Sequence, residues 1–265
     1  MSSLSKKRFT AVFQESGAAI FSVMIFLLIW QGGVSFTKLG DILPGPFTVI
    51  KAFFLSFAGV IGRYSIIQHI MFSLTRVLIA YGAACAIGIT LGLLMGRLPL
   101  IEAIFRPIYE VIRPIPPIAW ISMAILWFGL GEMMKYFIIF LSAFASITYT
   151  TFSGARVVDP TLIGASKMLG ANNFQVFTTI IIPASVPYVF SGMQVALGTS
   201  WATVVAAEMV RSSEGVGWII VSGMEVNNIN QILVGIIAIG LMGFFLATIL
   251  RKVENVLCAW NKGGV

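Results

Sequence analysis

The sequence predicts an all-α, polytopic membrane helix bundle with about six transmembrane helices, because it combines high hydropathy, long uncharged windows and one capped polar helix pair. Of its 265 residues, 58% are hydrophobic and 10% are charged, and the mean hydropathy is +0.97. A soluble domain of this length is far less apolar. The chain is therefore expected to lie in a bilayer.

Six windows free of acidic and basic side chains can each supply one span, because a helix of about 20 residues crosses the hydrocarbon core. The first window follows a basic run as in a signal peptide, but no clear cleavage site follows it, so a retained helix is expected. We divide the chain into an N-terminal segment, 1–15, and one transmembrane domain, 16–265. The windows are Ser16–Thr37, Val77–Gly96, Pro114–Gly131, Tyr136–Ala155, Met168–Ala207 and Val226–Leu250.

The basic residues predict the orientation of these spans. An even number of spans puts both termini on one side, and the side with more lysine and arginine is cytoplasmic. Cytoplasmic termini place eleven basic residues inside: Lys6, Lys7, Arg8, Arg97, Arg106, Arg113, Arg156, Lys167, Arg251, Lys252 and Lys262. Six remain outside: Lys38, Lys51, Arg63, Arg76, Lys135 and Arg211. The basic residues are dispersed, and no basic and aromatic patch indicates nucleic-acid binding.

Residues 159–183 are expected to form a polar helix pair on the cytoplasmic side. Asp159 is a natural N-cap, Gly170 supplies a left-handed stop, and Asn172 or Asn173 can cap a second helix that runs to Pro183. Two short helices would then meet at a glycine hinge. Such a segment, between long apolar runs, is suited to contact a soluble partner.

A glycine stripe in the second window predicts close helix packing. Gly88, Gly92 and Gly96 recur every four residues and so lie on one helix face, where two backbones can approach. The stripe is compatible with a neighbour in the same chain or in a second copy.

A charged stripe follows between the second and third windows. Glu102, Arg106, Glu110 and Arg113 recur at four, four and three residues, so they share one face of a helix. The charges either pair along the surface of an amphipathic helix at the cytoplasmic border, or one of them, Arg113, faces a path through the membrane.

The chain is expected to break just after Arg113. Pro114, Pro116 and Pro117 cannot all occupy the interior of a regular helix. Broken helices at membrane depth occur inside protein or beside a wet cavity. Arg113, Pro114, Pro117 and the nearby Trp120 are therefore candidate pathway residues.

Two further candidates lie at the outer end of the fifth window. Trp201 and Glu208 precede a glycine-rich segment. A carboxylate beside an apolar helix is costly unless it is paired or wetted, so Glu208 is either a gate or a partner contact, or an interfacial residue in headgroup water. His69 is read as a polar anchor at a helix entrance.

Two sets of residues resemble the ABC importer permeases. The loop signature Glu-Ala-Ala, three residues, Gly, nine residues, Ile, one residue, Leu-Pro is similar to the segment here, with Gly, Ser and Ile replacing its Glu, second Ala and Leu. The matching positions are Gly164, Ala165, Ser166, Gly170, Ile180, Ile182 and Pro183. The blocks SLTRVLIAYG, RPIPPIAW and WATVVAAEMV further resemble the taurine, nitrate and sulfonate branch.

This resemblance implies a type I ABC importer permease fold in a bacterial inner membrane. It implies that residues 159–183 form a coupling helix that docks in a groove of an ATPase. The implied partners are a second permease copy, most simply in a homodimer, two ATP-binding cassette subunits, an extracytoplasmic substrate-binding protein and membrane lipid. The implied substrate is a small organic anion, with taurine or another alkanesulfonate preferred, and nitrate, bicarbonate or an uncharged heterocycle as alternatives.

The residues themselves predict no catalytic role for this chain. It has no Gly-x-x-x-x-Gly-Lys-Ser/Thr phosphate loop, so ATP and Mg²⁺ are expected on a separate ATPase. No serine elbow or His/Cys cluster is present, and Cys85 and Cys258 have no metal-ligand spacing. We expect no catalytic residue, metal or cofactor. A secondary transporter or a membrane scaffold is the competing class, and the absence of Asp and Glu from the windows argues against the secondary transporter.

Overall fold

The computed structural model of the protein describes residues 3–258, and side chains at 17, 18 and 21–258. The predicted cytoplasmic side chains of Lys6, Lys7, Arg8 and Lys262, and residues 1 and 2 of the N-terminal segment, lie outside this set. The described chain is helical and contains no strand, which confirms the all-α class. Its α-helices are α1 Ser3–Phe36, α2 Pro46–Leu55, α3 Ile66–Arg97, α4 Pro99–Ile112, α5 Ile121–Phe128, α6 Glu132–Arg156, α7 Pro160–Met168, α8 Asn173–Val176, α9 Ile182–Val210, α10 Val216–Glu225 and α11 Ile229–Leu257.

Four helical stretches of the described chain are long and apolar enough to cross a membrane. They are Ile66–Arg97, Glu132–Arg156, Asn173–Val210 and Ile229–Leu257. Two bent pairs add one span each if each is counted as a single crossing. These are Phe21–Phe36 with Lys38–Leu55, bent by 85°, and Pro99–Ile112 with Pro117–Phe128, bent by 89°. The predicted number of about six is the upper end of this range.

The helices extend beyond two of the predicted uncharged windows. Helix α3 begins at Ile66, ahead of the window that starts at Val77 and close to His69, which was expected at the helix entrance, and it buries His69 and Arg76. Helix α9 runs past the expected end of the fifth window and buries Glu208. Charged residues do not end these helices because the charges pair with one another inside the bundle, as described below.

The third window, Pro114–Gly131, is not a continuous span. The chain leaves α4 at Arg113, forms a 3-10 turn over Pro117–Trp120 and then the short helix α5. The predicted break after Arg113 is thus confirmed, and its cause is the run of three prolines, which removes donors that a helix interior requires.

The predicted caps of the polar helix pair are confirmed. Asp159 accepts a hydrogen bond from the backbone N–H of Thr161 at 2.8 Å, and Gly170 has φ +88°. Asn172 forms a capping box with Gln175. Local chemistry therefore determines where α7 begins and ends and where α8 begins.

The expected end of the second helix at Pro183 is wrong. Helix α8 passes through a π-helical turn, Phe177–Ile181, directly into α9. The wider π turn accommodates the missing N–H and the ring of Pro183, which would clash in a regular helix. The segment therefore has one short helix, α7, and a second arm continuous with a membrane span.

Helices α3, α6 and α9 form the core of the bundle, around Val77, Ala84, Ile139, Ile147 and Val204. The glycine stripe of α3 faces α6 in the same chain. A Cβ on Gly92 would lie 2.7 Å from the carbonyl oxygen of Thr148, so the two backbones are in close contact there.

Candidate functional site

A cavity of about 480 Å³ lies where the chain breaks after α4. It is bounded by the end of α4, the proline segment, α6 and α9. Its wall is mostly apolar, with hydroxyl groups distributed over the helical faces. The polar lining residues are Arg113, Ser142, Ser146, Tyr149, Thr150, Thr199 and Thr203.

Arg113 is the one charged side chain among the described residues that line this cavity. Its guanidinium carbon lies 3.9 Å from the centroid of the Tyr149 ring. Within the described chain Arg113 forms no ion pair, although a guanidinium is always charged. The cavity therefore offers a cation whose hydrogen-bond donors are open to an anion.

The rest of the charged stripe behaves differently. Arg106 pairs with Glu102 at 3.0 Å and with Glu110 at 2.8 Å, on a half-exposed surface. Arg156 also reaches Glu102, at 2.8 Å. The interpretation as a self-paired amphipathic helix thus fits Arg106, whereas Arg113 is turned to the cavity.

The other predicted pathway residues are only partly brought together here. Pro117 lines the cavity, as does Pro116, but Pro114 and Trp120 do not. The Trp120 ring instead packs against Trp127 with the centroids 6.3 Å apart. The roles of Pro114 and Trp120 in a pathway stay predictions.

Trp201 lies apart from Arg113, on the side of α9 that faces α11. Its indole N–H donates to the carbonyl oxygen of Ile239 at 2.9 Å, and it lines a separate crevice of about 350 Å³ with Gly240 and Gly243. Its contacts in the described chain are therefore packing contacts between two helices.

A cluster of charges lies at the end of the bundle opposite α7, with Arg76, Lys135 and Glu208 buried, and we call it the Arg76 cluster. Its members are Arg76, Glu132, Lys135, Glu208 and Glu214. The Arg76 guanidinium bonds Glu132 at 2.6 Å, Glu208 at 2.8 Å and Glu214 at 2.8 Å, and Lys135 bonds Glu132 at 2.8 Å. The cluster joins α3, α6, α9 and the loop before α10.

Glu208 also stabilises the start of α10. Its carboxylate accepts hydrogen bonds from the N–H of Gly217 at 2.9 Å and the hydroxyl of Ser73 at 2.7 Å. A negative charge at a helix N-terminus is favourable.

Gly215, at φ +113°, has no room for a side chain because a Cβ there would meet the carboxylate of Glu208. The N–H of Gly215 donates to Nδ1 of His69 at 3.1 Å, and Nε2 of His69 lies 3.0 Å from the carbonyl oxygen of Ile61.

Two interpretations of Glu208 are therefore corrected. Its relative exposure is 1%, so it does not lie in headgroup water. It lies within helix α9, so the expectation that no span carries an acidic residue is also wrong, because that expectation came from ending each window at a charge. The role of Glu208 as a gate or a partner contact stays a prediction. One signal in the sequence was missed. Ser73 and Arg76 lie three residues apart in an apolar helix, and both bond Glu208.

The capped segment presents an apolar surface to solvent. Leu162, Met168, Leu169 and Phe174 are 56%, 86%, 89% and 73% exposed. Exposed apolar side chains grouped on one short segment are typical of an interaction surface. The opposite side of the segment is fixed to the bundle through Ile181, which is buried.

The predicted contact residues fall on both sides of this segment. Gly164, Ala165 and Gly170 are exposed, and a Cβ on Gly164 would meet no atom within 4 Å. Ser166, Ile180 and Ile182 are partly buried, and Pro183 is exposed. Among the described residues, no group of three or more His, Cys, Asp or Glu side chains is placed to hold a metal ion.

Comparison with known proteins gives a consistent result. The family described as "Binding-protein-dependent transport system inner membrane component" matches residues 88–256. A putative ABC transporter permease of Methanocaldococcus jannaschii is 36% identical, over 89% of this chain and 89% of its own. The taurine transport system permease protein TauC of Escherichia coli is 32% identical, over 92% of this chain and 89% of its own. Further relatives, at 29–31% identity, are named for nitrate, aliphatic sulfonate and bicarbonate transport.

A solved structure supports the fold. A chain of the MetNI methionine ABC transporter, in an inward-facing conformation, aligns with a TM-score of 0.63 at 15% identity. The alignment covers 72% of this chain and 95% of that chain.

Proposed function

This chain belongs to the family of binding-protein-dependent transport system inner membrane components, and from that premise we propose that it is the permease subunit of an ATP-driven importer for a small organic anion. Taurine or another alkanesulfonate is the preferred substrate. The protein is an ABC transporter permease of the branch whose members are named for taurine, nitrate, sulfonate and bicarbonate. The finer choice among these anions is our proposal.

The observation that carries the proposal is the cavity at the broken helix, with Arg113 as its charged residue. A guanidinium in partly apolar surroundings recognises an oxyanion through charge-assisted hydrogen bonds. The apolar remainder of the wall suits a short carbon chain better than water. A sulfonate with a short alkyl body matches both parts of the wall.

Transport by this subunit requires partners, and the surfaces of the chain suit them. We propose that two ATP-binding cassette subunits dock on the exposed apolar residues of α7 and α8, and that ATP and Mg²⁺ are bound there and not by this chain. A substrate-binding protein would deliver the anion at the end that carries the Arg76 cluster. A second copy of the chain, in a homodimer, would complete the pathway between two bundles in the bilayer.

The proposal includes an orientation. With cytoplasmic termini in a bacterial inner membrane, the α7 segment faces the ATPase and the Arg76 cluster faces outward. Binding of ATP would close the two ATPases and shift the relative stability of inward-open and outward-open states. The α7 segment and the arm that continues into α9 would transmit this change to the spans.

The test is the ATPase activity of the purified complex in lipid, with binding proteins preloaded with taurine, an unsubstituted alkanesulfonate, nitrate or bicarbonate. Stimulation by a loaded sulfonate-binding protein is the expected result. Stimulation by loaded nitrate or bicarbonate proteins alone would overturn the sulfonate preference. If no ATPase copurifies with the chain, the proposed assembly is wrong.

A matched pair of variants tests the role of Arg113. Arg113→Ala should lower uptake while the ATPase remains bound, because it removes the cation of the cavity. Arg251→Ala removes an exposed arginine of α11 that does not line the cavity, and it should leave uptake unchanged. Equal uptake by both variants would show that Arg113 does not line the pathway.

A further inference from the structure

The cavity beside Arg113 does not end there. A second cavity of about 190 Å³ lies on the other side of Arg113, nearer the end of α6 that leads to α7. Along α6 the larger cavity is lined by residues such as Ser142 and Ser146, and the smaller one by Phe152 and Ser153. Arg113 and Tyr149 line both cavities.

We propose that the stacked pair of Arg113 and Tyr149 is a partition between the two cavities, and that an anion opens it by drawing the guanidinium off the ring. This inference rests on the proposed function, since it assumes that anions reach the larger cavity. Tyr149 thereby becomes a gating and specificity residue, although it carries no charge and no motif indicates it.

The geometry of α4 holds this partition in place. Tyr109 and Arg113 are one turn apart, so both reach the same face of α6. The Tyr109 ring is parallel to that of Tyr149 within 4°, with centroids 6.3 Å apart, and its hydroxyl donates to the carbonyl oxygen of Ala145. The position of Tyr149 is thus supported from one side by Tyr109, and its face is covered by Arg113.

The attachment of Arg113 is of a kind that an anion can replace. A guanidinium on an aromatic face is held by the ring quadrupole, which is a weaker interaction than charge-assisted hydrogen bonds to an oxyanion. Arg106 is different, because two carboxylates already hold it. An anion in the larger cavity therefore competes for Arg113 with a ring and not with a carboxylate.

The far side of the partition offers an anion no comparable cation. Arg106 lines the second cavity together with Glu110, but Glu102 and Glu110 already hold its guanidinium. An uncharged solute of the same size as the anion would not displace the Arg113 guanidinium from the ring.

The partition can be tested by cysteine labelling of the assembled permease and ATPase complex, without measuring transport. Ser146→Cys reports on the larger cavity and Ser153→Cys on the smaller. The parent complex, which carries Cys85 and Cys258, gives the background. N-ethylmaleimide, an uncharged thiol reagent, is added with no ligand, with 1-propanesulfonate, or with ethyl methyl sulfone as the uncharged probe of similar size.

Propanesulfonate should raise the labelling rate at Ser153→Cys by about tenfold. This is the factor expected when a cation–π contact of ordinary strength is lost. The sulfone should have no effect, and labelling of the parent should stay constant. If propanesulfonate and sulfone give the same rate at Ser153→Cys, no anion opens the partition and the inference is overturned.

Two variants at Tyr149 separate the ring from its hydroxyl. Tyr149→Phe, combined with Ser153→Cys, keeps the aromatic face and should label at the rate of Ser153→Cys alone, with the response to propanesulfonate intact. Tyr149→Leu removes the face, so Ser153→Cys should label at the fast rate with no ligand present. A slow, propanesulfonate-sensitive rate in Tyr149→Leu would overturn the inference. The labelling experiment measures neither uptake nor ATP hydrolysis. A negative labelling result is therefore distinguishable from a failure of the loaded binding proteins to stimulate the ATPase.

Discussion

Replacing Arg76 by methionine should be among the most destabilising single changes in the protein. The substitution leaves the carboxylate of Glu208, whose side chain is 0% exposed, without its cation. Removing one partner of a buried ion pair costs about 3–5 kcal/mol, because the remaining charge is desolvated and unpaired. Glu132 and Glu214 add less, since their side chains are 44% and 22% exposed and can turn to water.

The assay is thermal unfolding of the protein in lipid nanodiscs. Unfolding is followed by the fluorescence of the six tryptophans, one of which, Trp218, stacks its ring on His69 at 5.2 Å near the cluster. A loss of this size lowers the Tm by about 10 °C in a domain of this length. Arg106→Met is the matched control, because it removes a half-exposed arginine with two ion pairs, and its Tm should equal that of the parent.

Two further variants test the cause of this loss. Arg76→Met combined with Glu208→Leu removes both charges, and it should be more stable than Arg76→Met alone because no buried charge is left unpaired. Arg76→Lys should lie between, since one ammonium cannot reproduce the fork that reaches three carboxylates. The reasoning about desolvation is refuted if Arg76→Met has the same Tm as Arg106→Met. It is also refuted if the double variant is less stable than Arg76→Met alone.

Three other perturbations have defined outcomes. Gly92→Ala should separate α3 from α6 and lower the Tm, at a cost of about 1–3 kcal/mol, whereas Gly82→Ala, with no atom within 4 Å of the added Cβ, should be neutral or stabilising by thermal unfolding; equal effects would contradict the close packing. Gly164→Trp should leave folding intact and weaken ATPase binding in a pull-down, and normal binding would remove Gly164 from the docking contact. Hydrogen bonds from Thr161 lower the pKa of the Asp159 carboxyl, so its cap stabilises α7 above the unfolded pKa and is lost as the pH falls through the lowered folded pKa; hydrogen exchange of α7 should show this loss in the parent and not in Asp159→Asn.

The features that could be predicted from the sequence depend on local chemistry. The caps at Asp159 and Gly170 lie within a few residues of the backbone groups that they satisfy, so spacing alone identifies them. For the second helix, spacing leaves Asn172 and Asn173 as alternatives, and the structure selects Asn172. The break after Arg113 follows from three prolines. The glycine stripe likewise predicts a close helix contact, although only the structure identifies α6 as the partner.

The features that could not be predicted depend on contacts between distant parts of the chain. Arg76 and Glu208 are 132 residues apart, and each alone reads as the end of an apolar window. Their pairing is what allows both to lie inside helices. The stack of Arg113 on Tyr149 is hidden for the same reason, since α4 and α6 meet only after the chain has folded back. The continuation through Pro183 depends on a π turn that has no composition signal.

The π turn has a mechanical consequence. Because it replaces a hinge, Asn173–Val210 is one continuous helical stretch of 38 residues, and Pro187 lies inside its α9 part. Asn172 caps one end of the stretch, in the exposed segment, and Glu208 lies near the other end, in the Arg76 cluster. A displacement of the exposed end is therefore transmitted through a single helix to the charged end, and any bend along the way is expected at Pro187, where the ladder of hydrogen bonds is interrupted.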